Sequence, residues 1–164
     1  MARIVIADAG PMIAFASIDA LAVLQKFFLE INITETVRHE CTAKPGIDSQ
    51  RIEAAIDAGW LVTSAAGTLT PGFAAEPLSP SLGAGESDSI RFALQSPAES
   101  LLIVDDRLAR RFALKRGINI VGTVRILDLA ERRGLIKSAE MSIAEMTAIG
   151  YRVSTELLKQ IRSE

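Results

Sequence analysis

Arg3-Ile-Val-Ile-Ala7 runs straight into Asp8, and Leu101-Leu-Ile-Val104 runs straight into Asp105-Asp106. Both stretches are short, apolar and carry β-branched residues, the pattern of a strand covered on both faces. Working outward, Phe27-Phe-Leu-Glu-Ile-Asn-Ile33, Trp60-Leu-Val-Thr63 and Ile118-Asn-Ile-Val121 read as three more strands. Asp8-Ala-Gly-Pro11 reads as a turn, and a helix follows over 13–26, interrupted near Ser17-Ile-Asp19. Further helices are expected over 34–42 with Thr34 as N-cap, 48–58 stopped by Gly59, 85–95, 107–116 ended by Gly117, and 123–133 closed by Gly134. Residues 138–148 and 154–162 read as two last helices split by Gly150. Residues 64–85 hold four Gly, three Pro and one charge, Glu76, and read as a long loop of the functional or disordered kind. Strands alternating with helices imply right-handed crossovers and a mostly parallel sheet with helices on both faces.

At 164 residues the chain suits a single domain, 1–164, with 138–164 as a C-terminal helical extension. Apolar types make up 49% and charged types 23%, which excludes a disordered or fibrous chain, and with 5% aromatic residues the core must be aliphatic. There is no apolar run long enough for a membrane span, and Asp8 interrupts what would be a signal peptide's apolar stretch. Cys41 is the one cysteine, so neither an internal disulfide nor a cysteine-based zinc site can form, and a cytoplasmic location is expected. The net charge of −2 hides an asymmetry. Residues 1–100 carry six basic and twelve acidic side chains, whereas 101–137 carry nine basic and four acidic. That basic segment suits a polyanionic partner; its plainer reading is a set of solvated helix faces.

Parallel sheets bind ligands beyond the carboxyl ends of their strands, where strand order reverses. Asp8 ends the first strand and Asp105-Asp106 ends the fourth. Glu40 lies on the helix after the second strand, and Glu86 and Asp88 begin the helix before the fourth. Carboxylates gathered in one crevice repel, and a hard cation such as Mg²⁺ or Mn²⁺ relieves that cost. Each acid also has a plainer reading. Asp8 and Asp106 would serve as helix N-caps, Glu86 and Asp88 would favour the positive end of their helix, and Glu40 would be solvated. His39 and Cys41 lack the partners that nucleophilic catalysis needs, and Gly83-Ala-Gly85 is no dinucleotide fingerprint.

Four stretches then stand in order: Ile4-Val-Ile-Ala-Asp8-Ala-Gly-Pro-Met-Ile-Ala14, Val37-Arg-His-Glu40, Leu82-Gly-Ala-Gly-Glu86-Ser-Asp88-Ser-Ile90, and Leu102-Ile-Val-Asp105-Asp106-Arg-Leu-Ala-Arg110, continuing through Arg116-Gly-Ile-Asn-Ile-Val-Gly-Thr123. This ordered set resembles the PIN-domain ribonucleases, in particular the branch related to the toxins of VapBC-type toxin–antitoxin modules. The resemblance implies a three-layer α/β/α, Rossmann-like fold and a Mg²⁺- or Mn²⁺-dependent endoribonuclease. It assigns Asp8, Glu40, Glu86 and Asp106 as catalytic acids. The metal residues are Asp8, Glu86, Asp105 and Asp106, with Asp105 beside the other three tuning ligand basicity. Arg107, Arg110 and Arg111 are expected to grip RNA phosphates. An antitoxin protein, a homodimer and the absence of a membrane partner follow from the same resemblance. Many relatives have Thr or Ser where this chain has Val104, and that difference favours the alternative of a degenerate PIN domain that binds RNA or a protein without cutting. A receiver-type signalling domain would need an acceptor acid after the third strand, and Trp60-Leu-Val-Thr-Ser64 offers none.

Overall fold

The computed structural model describes residues 3–64, 78–96 and 98–164. Five strands form one all-parallel sheet: β1 (Ile4–Ala7), β2 (Ile31–Thr34), β3 (Leu61–Ser64), β4 (Ser100–Ile103) and β5 (Asn119–Val121), in the order β3-β2-β1-β4-β5. Helices pack on both faces, so the architecture is three-layered α/β/α. Side chains alternate along each strand. Ile6, Leu102 and Val104 point into the core beneath α5 (Ala84–Gln95) and α6 (Arg107–Lys115), with Ile90, Phe92, Ala109 and Ala113. Val5, Ala7, Ile31, Ile33 and Ile103 point the other way. There they meet α1 (Ala9–Ser17), α2 (Leu21–Phe28), α3 (Glu35–Thr42), α4 (Ile47–Ala58) and α7 (Thr123–Arg132).

The strand order reverses between β1 and β4. These neighbours pair in register, Ile4 with Ser100 through Ala7 with Ile103. The pairing runs one step further, because the Asp8 N–H donates to the Ile103 carbonyl at 3.0 Å. Asp8 and Asp105-Asp106 therefore leave the sheet side by side at its carboxyl edge.

Two boundaries differ from the sequence reading by more than two residues. The turn expected at Asp8-Ala-Gly-Pro11 is already helix, because α1 starts at Ala9. Pro11 falls in the first turn, where its missing N–H has no partner to lose. The strand expected from Phe27 begins at Ile31, and Phe27 and Phe28 close α2. A short apolar run does not distinguish helix from strand. Leu29 stops α2 with a positive φ of 61°, its N–H still bonded to the Gln25 carbonyl at 2.9 Å. Of the expected loop at 64–85, residues 65–77 lie outside the described residues, and α5 begins at Ala84.

The C-terminal helices α8 (Ala139–Ile149) and α9 (Thr155–Ser163) pack on α1 and α7 rather than on the sheet. Ile143, Met146 and Leu158 are buried there, with Leu157 and Ile161 partly covered. Buried Asp128 of α7 pairs with Arg132 at 3.0 Å and with Arg162 of α9 at 3.1 Å, and Arg162 reaches Glu131 at 2.7 Å. No helix among the described residues is long and apolar enough to cross a membrane.

Candidate active site

Asp8 stands at the N-cap position of α1, yet its side chain accepts no capping hydrogen bond. It is buried, and its Oδ1 has no hydrogen-bond partner among the described residues. An unpaired buried carboxylate oxygen is costly and asks for a reason. Burial raises the Asp8 pKa from 3.8 to about 7, and the charges of Glu86, Glu40 and Asp105 add to the shift, against a smaller opposing effect of the Ala9 N–H.

Glu86 and Glu40 approach from either side. Glu86 sits in the first turn of α5 and is half-buried, with Oε2 accepting the Gly83 N–H at 3.1 Å. Burial raises its pKa, and the charges of Asp106 and Glu40 raise it further. Glu40, on α3, lies at the rim against the same turn. A Cβ on Gly85 would fall 2.8 Å from the Glu40 Cδ, so glycine is what lets the carboxylate reach the start of α5. Partial burial raises the Glu40 pKa, with Asp88 adding to it and the Gly85 N–H and His39 opposing.

The two acids after β4 divide their work. Asp106 caps α6, accepting the Ala109 N–H through Oδ2 at 2.9 Å, so its N-cap reading is correct. The residue is exposed. Asp105 is held: the Thr123 N–H donates to Oδ1 at 2.8 Å, and the Thr123 and Tyr151 hydroxyls donate to Oδ2. Asp88, the other acid near the start of α5, faces elsewhere. It is buried, accepts from Thr36 on α3 and pairs with Arg91 at 3.0 Å.

At one sheet edge Asp8 thus feels the charges of Glu86, Glu40 and Asp105, and Glu86 those of Asp106 and Glu40. They are not drawn onto one point: among the described residues no three His, Cys, Asp or Glu side chains already stand as a ligand set. Mutual repulsion favours that spacing. The unpaired Asp8 oxygen, the raised pKa values and an all-oxygen donor set fit a hard divalent cation. Val104 is buried in the core beneath α5 and α6, and the hydroxyls at this edge come from Thr123 and Tyr151 instead. Sequence reasoning passed over both. Thr123 opens a helix like any small polar residue, and Tyr151 lies on the far C-terminal segment, marked only as the chain's single tyrosine. Cys41 is buried near Asp8 and Glu40, and burial with those charges pushes its thiol up to about 12, which keeps it inert.

The basic segment is partly consumed in the fold. Arg125 pairs with Glu164 and Arg132 with Asp128, while Arg116 and Arg133 lie over the rings of Phe112 and Phe27. Arg107, Arg110 and Arg111 on α6 make no ion pair among the described residues. Arg110 shares the neighbourhood of Gly122 with Asp105. A Cβ on Gly122 would sit 2.8 Å from its Nη1 and 3.0 Å from Asp105 Oδ1. Beside it opens a cavity of about 240 Å³ walled by β5, α7 and α9. Arg111 faces a separate dip with Leu108 and Lys115.

A family model described as a PIN domain matches residues 4–164, from β1 through α9. The chain belongs to the PIN-domain family. The PIN fold is a nuclease-type fold whose members bind nucleic acid and usually use divalent metal ions. No curated protein matches the chain in sequence.

Proposed function

We propose that this PIN domain is a Mg²⁺- or Mn²⁺-dependent endoribonuclease that serves as the toxin of a type II toxin–antitoxin module. The observation that carries the nuclease assignment is Asp8: a buried carboxylate with an unpaired oxygen, set at the switch point of a parallel sheet among four other acids. The toxin role is supported by the resemblance of the four acidic stretches to VapBC-type toxins. That resemblance also supports a homodimer and an antitoxin partner.

Asp8, Glu86 and Asp106 would hold the cation. When bound, it polarises a phosphate oxygen and lowers the pKa of a coordinated water. Glu40 stands at the rim with a raised pKa, placed to accept a proton from the attacking water. The water oxygen bonds to phosphorus as the P–O3′ bond breaks; the leaving O3′ takes a proton from solvent to become a 3′-hydroxyl, and the other product carries a 5′-phosphate. Asp105 stays anchored beside Asp8 by Thr123 and Tyr151. Arg110, with Arg107 and Arg111, offers guanidinium groups to flanking phosphates.

The test is cleavage of single-stranded RNA by purified protein in Mn²⁺, in Mg²⁺ and in EDTA, with the product ends mapped. Cleavage only with a divalent cation, leaving 5′-phosphate ends, supports the assignment. RNA binding without cleavage in any cation identifies a degenerate binding domain instead.

Two variants probe the parts. Arg110→Ala is expected to weaken RNA binding uniformly across sequences and to flatten its salt dependence, because one phosphate contact and its counterion release are lost. Binding titrations at several salt concentrations measure both, and an unchanged slope would assign α6 to solvent. Gly85→Ala should expel the Glu40 carboxylate from the first turn of α5. Glu40 is flexible and sits at the rim, so the fold should tolerate the change. Cleavage should fall about ten- to a hundredfold, within what a displaced general base costs. Full activity in Gly85→Ala would remove Glu40 from the chemistry.

A further inference from the structure

We propose that Tyr151 is a positioning residue: its hydroxyl, acting with Thr123, pins Asp105 at the end of β4, so that Asp8, Glu86 and Asp106 are the carboxylates left to meet a cation. This rests on the crevice being a divalent-cation site. Gly150, at a φ of 103°, ends α8, and the chain then turns back over the first turn of α1. The turn is fixed by the Tyr151 N–H donating to the Met146 carbonyl at 3.0 Å. It delivers the Tyr151 ring onto Gly10, where a Cβ would lie 3.0 Å from the hydroxyl oxygen and 3.4 Å from the ring. That slot exists because residue 10 is glycine, two residues after Asp8. From it the hydroxyl donates to Asp105 Oδ2.

A phenylalanine would fill the same space, so the hydroxyl is what needs explaining. Asp105 meets three donors, the Thr123 N–H, the Thr123 hydroxyl and the Tyr151 hydroxyl, against about four lone-pair positions on a carboxylate. Both oxygens are thereby engaged by hydrogen bonds. The same contact ties the end of β4 to the start of α1, the two segments that present Asp106 and Asp8. Groups that orient metal-binding side chains without touching the metal typically change affinity by about ten- to a hundredfold when removed. The C-terminal helices would then serve the site as well as the fold.

The experiment compares wild type, Tyr151→Phe and Asp8→Asn by isothermal titration with Mn²⁺, and adds the metal-free melting temperature and the kcat and KM of RNA cleavage. Tyr151→Phe keeps the ring and should melt close to wild type. It is expected to bind Mn²⁺ about tenfold more weakly and to lower kcat with KM for RNA unchanged. A residue that only packs α8 against α1 would leave Mn²⁺ affinity alone. If Asp8→Asn loses Mn²⁺ binding while Tyr151→Phe binds it as tightly as wild type or more tightly, the positioning role is overturned and the cation site stands. If wild type binds no Mn²⁺, or Asp8→Asn binds it equally well, the cation site itself is wrong and this role falls with it.

Discussion

Asp8→Asn is expected to lose metal-dependent RNA cleavage by about a hundredfold or more, while its metal-free form is as stable as wild type or more so. The two halves have one cause. The Asp8 carboxylate gains little for the fold: apart from the favourable Ala9 N–H, it makes no capping hydrogen bond, and one oxygen has no partner among the described residues. With the folded pKa raised from 3.8 to about 7, the native state holds a proton that the unfolded chain has released. Metal-free stability from this group is therefore fully present below 3.8 and is lost as pH rises toward 7. The raised values of Glu40 and Glu86 act in the same direction. Urea melts in EDTA across that window should show wild-type stability falling with pH and a shallower fall in Asp8→Asn. A slope unchanged by the substitution would mean that Asp8 is not held at a cost, and the reason for placing a cation there would go.

Asp88→Ala should do the reverse, unfolding the protein more than it harms the chemistry. Asp88 is 2% exposed and pairs with Arg91, itself 12% exposed, while also accepting from Thr36. Removing the carboxylate takes one hydrogen-bonding partner from the partly buried Arg91 and cuts a tie between α3 and α5. Losing a buried, hydrogen-bonded carboxylate is expected to cost about 1–3 kcal/mol. Chemical denaturation measures the loss, and cleavage per folded molecule should stay within a few-fold of wild type. A stable but inactive Asp88→Ala would make Asp88, rather than Glu86, the third acid of the crevice.

The strand ends were the most legible part of the sequence. Apolar β-branched runs stopped by an acid place Asp8 and Asp105-Asp106 at a sheet edge by pattern alone, and the β1–β4 neighbour relation brings them together. What each carboxylate touches was not legible. Asp105 and Asp106 are consecutive and chemically equal, yet one caps α6 and the other is held by residues 18 and 46 positions away. Nothing local marks Thr123 or Tyr151, because their role depends on how α7 and α8 dock. The packing also gives Glu86 and Asp88 different partners: two residues along a helix is about half a turn, and Asp88 meets Thr36 and Arg91 while Glu86 accepts from Gly83. The missed boundaries at Pro11 and Phe27 share a local cause. Proline is tolerated in a first helical turn, and aromatic runs suit helix and strand alike.

The claim that matters most is that the crevice at Asp8 is built for a divalent cation, and the thermal melt with and without Mn²⁺ tests it directly. A cation that binds only the folded state raises the melting temperature in proportion to its occupancy. Wild type should melt higher in Mn²⁺ than in EDTA, and Asp8→Asn should gain much less. A wild-type melting temperature indifferent to Mn²⁺, or an equal gain in Asp8→Asn, would contradict it.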